Sequence, residues 1–217
     1  MTLLEIFWQL SWGLGYTVLV TVTCSATGLA AGLLVACLAR LPLPGLRGVL
    51  NAYTYVYRGV PVLVMLFLVY FGLPTIGVNV LPLVAMALSL GLIAGAYLAE
   101  VFRGALESID QSEILAAQAM GMTRVQVFVS IEMPQMLRFA IPGMVNEFTS
   151  VLKYSPFAYT VGIPEMTKQA MSLTATTLKG VEVYLCVGIL YFAVYRILLI
   201  VVRLLERRYA IPGMTVT

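Results

Sequence analysis

The sequence predicts an all-α membrane protein with five transmembrane helices and a helical loop projecting from the cytoplasmic side. Three observations carry this. Hydrophobic residues make up 61% of the 217 positions and charged residues only 11%, a composition too apolar for a soluble domain of this length. The apolar residues gather into five segments of roughly membrane-crossing length. Between the third and fourth lies an interval, Ile109 to Gln135, that combines helix formers, charges of both signs and an internal glycine.

Segment one, about Trp12 to Ala39, is rich in Gly, Ala, Val, Leu and Thr and ends at Arg40. No Lys or Arg precedes it, and it is too long for the apolar region of a signal peptide, so it is expected to remain a membrane helix. Arg40, Pro42, Pro44 and Arg47 form a basic turn before segment two, Asn51 to Phe71, which holds Arg58, Gly59 and Pro61 near its start. An uncharged turn at Gly72, Pro74 and Gly77 leads to segment three, Pro82 to about Phe102. Segment four begins beyond Pro134, reaches Leu152, and is expected to be interrupted at Pro142 and Gly143. Lys153 to Glu182 read as a structured extracytoplasmic or re-entrant excursion, and segment five runs from Val183 to Val202. The whole, residues 1–217, is expected to be a single transmembrane domain.

Arginines set the orientation. Arg40 and Arg47, Arg103 and Arg124, and Arg203, Arg207 and Arg208 flank segments on one side, whereas Lys153, Lys168 and Lys179 oppose them on a longer excursion that counts less. The N-terminus is therefore expected outside, with the loop at about 107–134 and the C-terminus in the cytoplasm. Cys24, Cys37 and Cys186 lie inside apolar segments without ligand spacing, and histidine is absent; they read as packing residues, and no metal site is expected. Lys153, Lys168 and Lys179 follow Leu152, Thr167 and Leu178 where a phosphate-binding loop needs glycine.

Charges inside spans mark where function is sought. Glu100, Arg103 and Glu107, at i, i+3 and i+7, read as an ion ladder near the cytoplasmic end of segment three. Glu147 differs. If segment four enters lipid near Met136, Glu147 sits roughly 17 Å up, with no Lys or Arg at i±3 or i±4. With Asn146, Ser150 and Arg58 it forms the candidate substrate-binding set, whereas Tyr57, Met65 and Tyr97 read as packing residues.

In the polar interval, Ala116 and Ala117 are followed by Gly121, and ten residues later by Ile131, Met133 and Pro134. This spacing resembles the EAA loop of ABC importer permeases. Tyr57 to Val64, Tyr70 to Pro74, Ala96 to Ala105, Asn146 to Lys153 and Gly162 to Glu165 are similar to signatures of the histidine and glutamine permease group of polar-amino-acid permeases, over roughly residues 10 to 208. The resemblance implies a type I importer: two permease subunits of the same or related sequence, two cytoplasmic ATPase subunits that bind the ATP and magnesium, and an extracytoplasmic solute-binding protein. This chain would hold no cofactor and catalyse no covalent step. It would contact the ATPase through Leu115, Ala116, Ala117, Met120 and Gly121. The acidic residue of the family falls on Leu115, which implies an apolar contact, and Tyr154, Ser155 and Pro156 stand where many relatives carry a small polar pair. An ion-gradient-driven secondary transporter or channel is the alternative. A proton-coupled carrier is expected to show a relay of carboxylates or histidines and often an inverted repeat, whereas this chain has one convincing mid-membrane carboxylate and no visible repeat. An intramembrane enzyme lacks paired aspartates, a Ser-His dyad or a His-Glu metal motif here.

Overall fold

The computed structural model describes residues 2–209; of the C-terminal flank used for orientation, the side chains of Arg203, Arg207 and Arg208 lie outside the description. Helix α1, Leu3–Leu38, starts well before Trp12 because Thr2 and Glu5 form a reciprocal capping box at its N-terminus. At about 1.5 Å per residue it extends roughly 54 Å, longer than a bilayer core. Helix α2, Leu46–Gly59, follows the basic turn, and α3, Val62–Phe67, continues through a π-turn at Leu68–Gly72 and a 3-10 turn to Ile76.

Segment two is thus two helices. They meet at an angle of 107°, because Pro61 offers no amide to continue α2 and holds the preceding residue, Val60, extended at φ −98°, ψ 130°. Arg58 consequently ends a helix, 12 residues into α2 and about 18 Å along it, rather than starting one.

Helix α4, Pro82–Met86, a π-turn at Ala87–Gly91 and α5, Leu92–Glu107, form one apolar run. The polar interval contains α6, Gln111–Ala119, and α7, Arg124–Val127; a third π-turn, Phe128–Glu132, joins α7 to α8, Met133–Tyr154. Helical structure therefore resumes at Arg124, and α8 itself begins at Met133, beside Pro134. Helix α8 also runs unbroken through Pro142 and Gly143, contrary to the expected interruption. Proline removes one internal hydrogen bond, and the glycine beside it admits Val101 so closely that a Cβ there would lie 2.5 Å from its Cγ1. Contact with α5 thus supports the helix where its own ladder is weakest.

The excursion is structured: a 3-10 segment, Ser155–Val161, then α9, Met166–Thr177, and a left-handed Leu178 before α10, Gly180–Tyr209. By length and apolar composition α1, Pro82–Glu107 and Gly180–Val202 are membrane-crossing helices, and the bent pair α2 with Val62–Ile76 makes a fourth if it counts as one span. The fifth expected span, α8, carries Arg138, Glu147 and Lys153 and does not stand out as apolar.

Helix α5 is the centre. Gly28 and Gly32 of α1 face Gly91 and Gly95, where Cβ atoms would lie 2.7–2.9 Å from Ala94, Leu98, Thr27 and Ala31. Small residues four apart allow this approach, the usual device where water cannot drive helix association. Cys24 is buried in the core beside this seam, Cys186 is buried between α9 and α10, and Cys37 is partly exposed. A second anchor lies at α9. Fully buried Glu165 accepts hydrogen bonds from the Thr167 and Lys168 amides, 2.8 Å each, and from the Tyr191 hydroxyl at 3.0 Å. Gly13 packs directly on the Met166 backbone.

Gly28→Val should lower the thermal unfolding midpoint of the purified protein, since overpacking of this kind costs about 1–3 kcal/mol. Gly104→Ala, where a Cβ meets open space, should leave it unchanged or slightly raised. Equal midpoints for the two variants, followed by tryptophan fluorescence in detergent, would show that the seam does not limit stability.

Candidate functional site

The break between α2 and α3 opens onto a cleft of about 600 Å³. Tyr57, Arg58 and the Gly59–Leu63 backbone form one side. Leu90, Ile93 and Tyr97 of the α5 run form another, and Asn146, Glu147, Ser150 and Tyr154 of α8, with Phe157, close it. All four residues of the candidate substrate set therefore border one cavity. A broken helix beside a polar cavity is how membrane proteins tolerate irregular backbone at depth.

Each polar group is positioned by its helix. Asn146, Glu147 and Ser150 fall on one face of α8 through i, i+1 and i+4 spacing. The Ser150 hydroxyl donates to the Asn146 carbonyl at 3.0 Å, which leaves its lone pairs to accept. Glu147 is partly buried, and no Lys or Arg among the described residues lies within ion-pair distance of it. Arg58 sits in the last turn of α2, where a cation suits the helix C-terminus. Its guanidinium lies over the Tyr97 ring, 5.2 Å from the centroid, and its Nη1 is 3.8 Å from Glu100. The cleft thus offers a cation held by an aromatic face, an unpaired carboxylate and neutral donors and acceptors, the complement of a zwitterion. Tyr57 and Tyr97, read from the sequence as packing residues, border the cleft; Met65 is buried in the core. The signal for Tyr97 was its spacing, since Ile93, Tyr97 and Glu100 at i, i+4 and i+7 share a stripe of α5.

The second site is the polar loop. Asp110 caps α6 by accepting from the Ser112 amide at 2.9 Å, and α6 ends in a Schellman motif: Met122 N–H to Ala117 carbonyl, 3.1 Å, and Gly121 N–H to Gln118 carbonyl, 2.9 Å. Gly121 has φ +86°, which explains the glycine. Thr123 and Gln126 form a capping box that starts α7. Two contacts tie this loop to the bundle: Gln135 donates to Glu113 at 2.6 Å, and Arg40 at the end of α1 pairs with buried Glu132 at 3.2 Å. Leu115 and Met120 are 64% and 86% exposed, and Ala116 and Gly121 are also exposed. Ala117 is the exception among the five coupling candidates. It is buried, so its small side chain lets α6 lie close and is not offered to a partner.

These features define a helical membrane permease with an internal polar cleft and a helical loop bearing exposed apolar side chains. Residues 28–211 match the family described as the binding-protein-dependent transport system inner membrane component, and the chain belongs to that family. It is 35% identical over 202 residues to the probable amino-acid permease protein YxeN of Bacillus subtilis, covering 92% of this chain and 90% of that one. It is 33% identical over 174 residues to the histidine/lysine/arginine/ornithine transport system permease protein HisQ of Escherichia coli, covering 75% and 76%. Among solved structures, the chain resembles an amino acid ABC transporter crystallised with histidines, with a TM-score of 0.86, 28% identity and coverage of 96% of this chain and 100% of the other. The inward-facing MetNI methionine ABC transporter shares the fold, with a TM-score of 0.78 and 20% identity. Membership makes the chain a multi-pass inner-membrane transport component, and implies a solute-binding protein and an ATPase as partners.

Gly121→Ala forces a residue with a Cβ into the left-handed region, at a cost of about 1–2 kcal/mol. Amide exchange at Gly121–Met122 should accelerate roughly five- to thirtyfold on that scale, with α1 and α5 unaffected. Unaltered protection in hydrogen-exchange mass spectrometry would mean that the Schellman closure does not order the loop.

Proposed function

We propose that this chain is the membrane-spanning subunit of an ATP-driven importer, that it passes an amino acid across the cytoplasmic membrane by alternating access, and that the cleft is its solute site. The observation that carries the proposal is the pairing of Arg58 and Glu147 on different helices around one cavity. An α-carboxylate matches the guanidinium, and an ammonium or guanidinium matches the carboxylate. Asn146 and Ser150 complete the recognition. The amino-acid permeases among the relatives support the substrate class.

Energy comes from the partner ATPase, which holds the ATP and magnesium. Helix α6 docks in a cleft of that ATPase through Leu115, Met120 and the exposed backbone at Ala116 and Gly121. Leu115 makes this contact apolar. Closure of the ATPases swings α6 as a rigid body and moves α5 and α8, which it joins. The second permease subunit is a copy or a relative of this chain, and the solute-binding protein docks on the excursion between Ser155 and Lys179. The N-terminus is outside, and α6 and the C-terminus are in the cytoplasm.

Glu147→Gln keeps size and hydrogen bonding but removes the charge. Binding of amino acid to the purified permease–ATPase complex, and stimulation of its ATPase activity, should fall about tenfold or more, the ~1.5–3 kcal/mol of a charge-assisted hydrogen bond. Unchanged binding and stimulation would assign Glu147 to packing and leave the solute site elsewhere.

Orientation has its own measurement. Cysteine at Thr177 should react with an impermeant maleimide added to intact cells, and cysteine at Ser112 only after permeabilisation. The reverse pattern would invert the topology.

A further inference from the structure

The cleft is the first of three cavities strung along the groove between α2 and α5. The second, about 650 Å³, shares Arg58 with the cleft and adds Asn51, Thr54, Glu100 and Arg103. The third, about 400 Å³, shares Glu100 and Arg103 with the second and reaches Glu107 and Gln111, the first residue of α6. A row of cavities with shared charged lining residues therefore leads from the cleft to the root of the loop. Arg58, Glu100, Arg103 and Glu107 alternate in sign along it, with Glu147 at the cleft and Arg40 and Arg47 lining the third cavity.

Their geometry is unequal. Glu100 Oε2 receives Arg103 through both Nε, at 3.2 Å, and Nη2, while Arg58 Nη1 stands 3.8 Å from the same oxygen. Arg103 also reaches Glu107 at 3.0 Å through Nη1. One carboxylate oxygen thus serves two guanidinium groups, and Arg58 is the looser partner. Tyr97 supports Arg58 from its ring face independently of Glu100. Arg58 can change anion without losing its place.

We propose that Glu100 is a positioning residue which occupies Arg58 in the empty cleft and yields it to the carboxylate of an arriving ligand, so that occupancy of the cleft alters the ion ladder at the root of the docking loop. This rests on the reading of the cleft as an amino-acid site. Glu100 and the ligand compete for the same cation, so the negative charge of Glu100 weakens carboxylate recognition. Once Arg58 turns to the ligand, Glu100 is left to Arg103 alone, and Arg103 also holds Glu107, the last residue of α5. Arg103 sets the balance by drawing Glu100 away from Arg58.

The test compares two neighbouring variants that should act in opposite directions. In the intact permease–ATPase complex in nanodiscs, binding is measured for the twenty common L-amino acids and for the carboxamide of the tightest. The readout is the preference for acid over amide. Glu100→Gln should raise that preference about three- to fivefold, the scale of a half-exposed ion pair, and leave amide binding unchanged. Arg103→Gln, at a more exposed position, should lower it, because Glu100 then has only Arg58 to serve. Glu100→Asp, which keeps the charge, should return the preference toward wild type, and in an Arg58→Gln background none of these changes should appear. A merely architectural ladder would not move the ratio in opposite senses. An unchanged or reduced preference in Glu100→Gln, or a raised one in Arg103→Gln, overturns the proposal while the solute site stands. If the wild-type complex binds none of the amino acids, the solute site itself is wrong and this inference goes with it.

Discussion

The close crossing of α1 and α5 is the contact on which everything else is hung. In lipid, two apolar helices gain little by hiding hydrocarbon from hydrocarbon, so dispersion at short range must hold them. Gly28, Gly32, Gly91 and Gly95 bring the backbones together, and the Tyr53 hydroxyl, donating to the Leu92 carbonyl at 2.7 Å, pins α2 to the same run. With α5 fixed between α1, α2 and α8, one stripe of it carries Tyr97, Glu100, Arg103 and Glu107 along the row of cavities. Packing on one side of the helix makes chemistry possible on the other.

The two functional ends are built by different physics. At the cleft, a helix break brings charged groups from separate elements to one cavity, and its polarity is tolerable because water or ligand can solvate it. At the loop, order comes from local backbone bonding: an Asp cap, a Schellman closure, a Thr-Gln box. The Glu113–Gln135 and Arg40–Glu132 contacts join it to the bundle, and Ile109, Ile114 and Phe128 pack into the core formed by α1, α5 and α8. The loop carries exposed Leu115 and Met120 on this locally ordered frame.

Composition and apolar runs were enough to reveal the helical membrane class, and short-range spacing was enough for the Glu100–Arg103–Glu107 ladder and the turn at Gly121. What stayed hidden depended on distant neighbours. The 107° bend beyond Arg58 turns a proline that merely marked a segment into a cavity wall. The continuity of α8 through Pro142 depends on Val101 filling the space at Gly143. The pairing of Arg58 with Glu100 crosses 42 positions of sequence, and the burial of Ala117 between exposed neighbours appears only when α6 is laid on the bundle.

The three π-turns among the described residues, at Leu68–Gly72, Ala87–Gly91 and Phe128–Glu132, change how the chain must be counted. Each holds one residue more than an α-turn, so a helical wheel drawn straight through one is out of phase by a residue, about 100°. Traced from Arg124 without that correction, the wheel assigns Asn146, Glu147 and Ser150 to the wrong meridian of α8. The extra residue between α7 and α8 is therefore a phase setting, and it decides which longitude of the helix looks into the cleft.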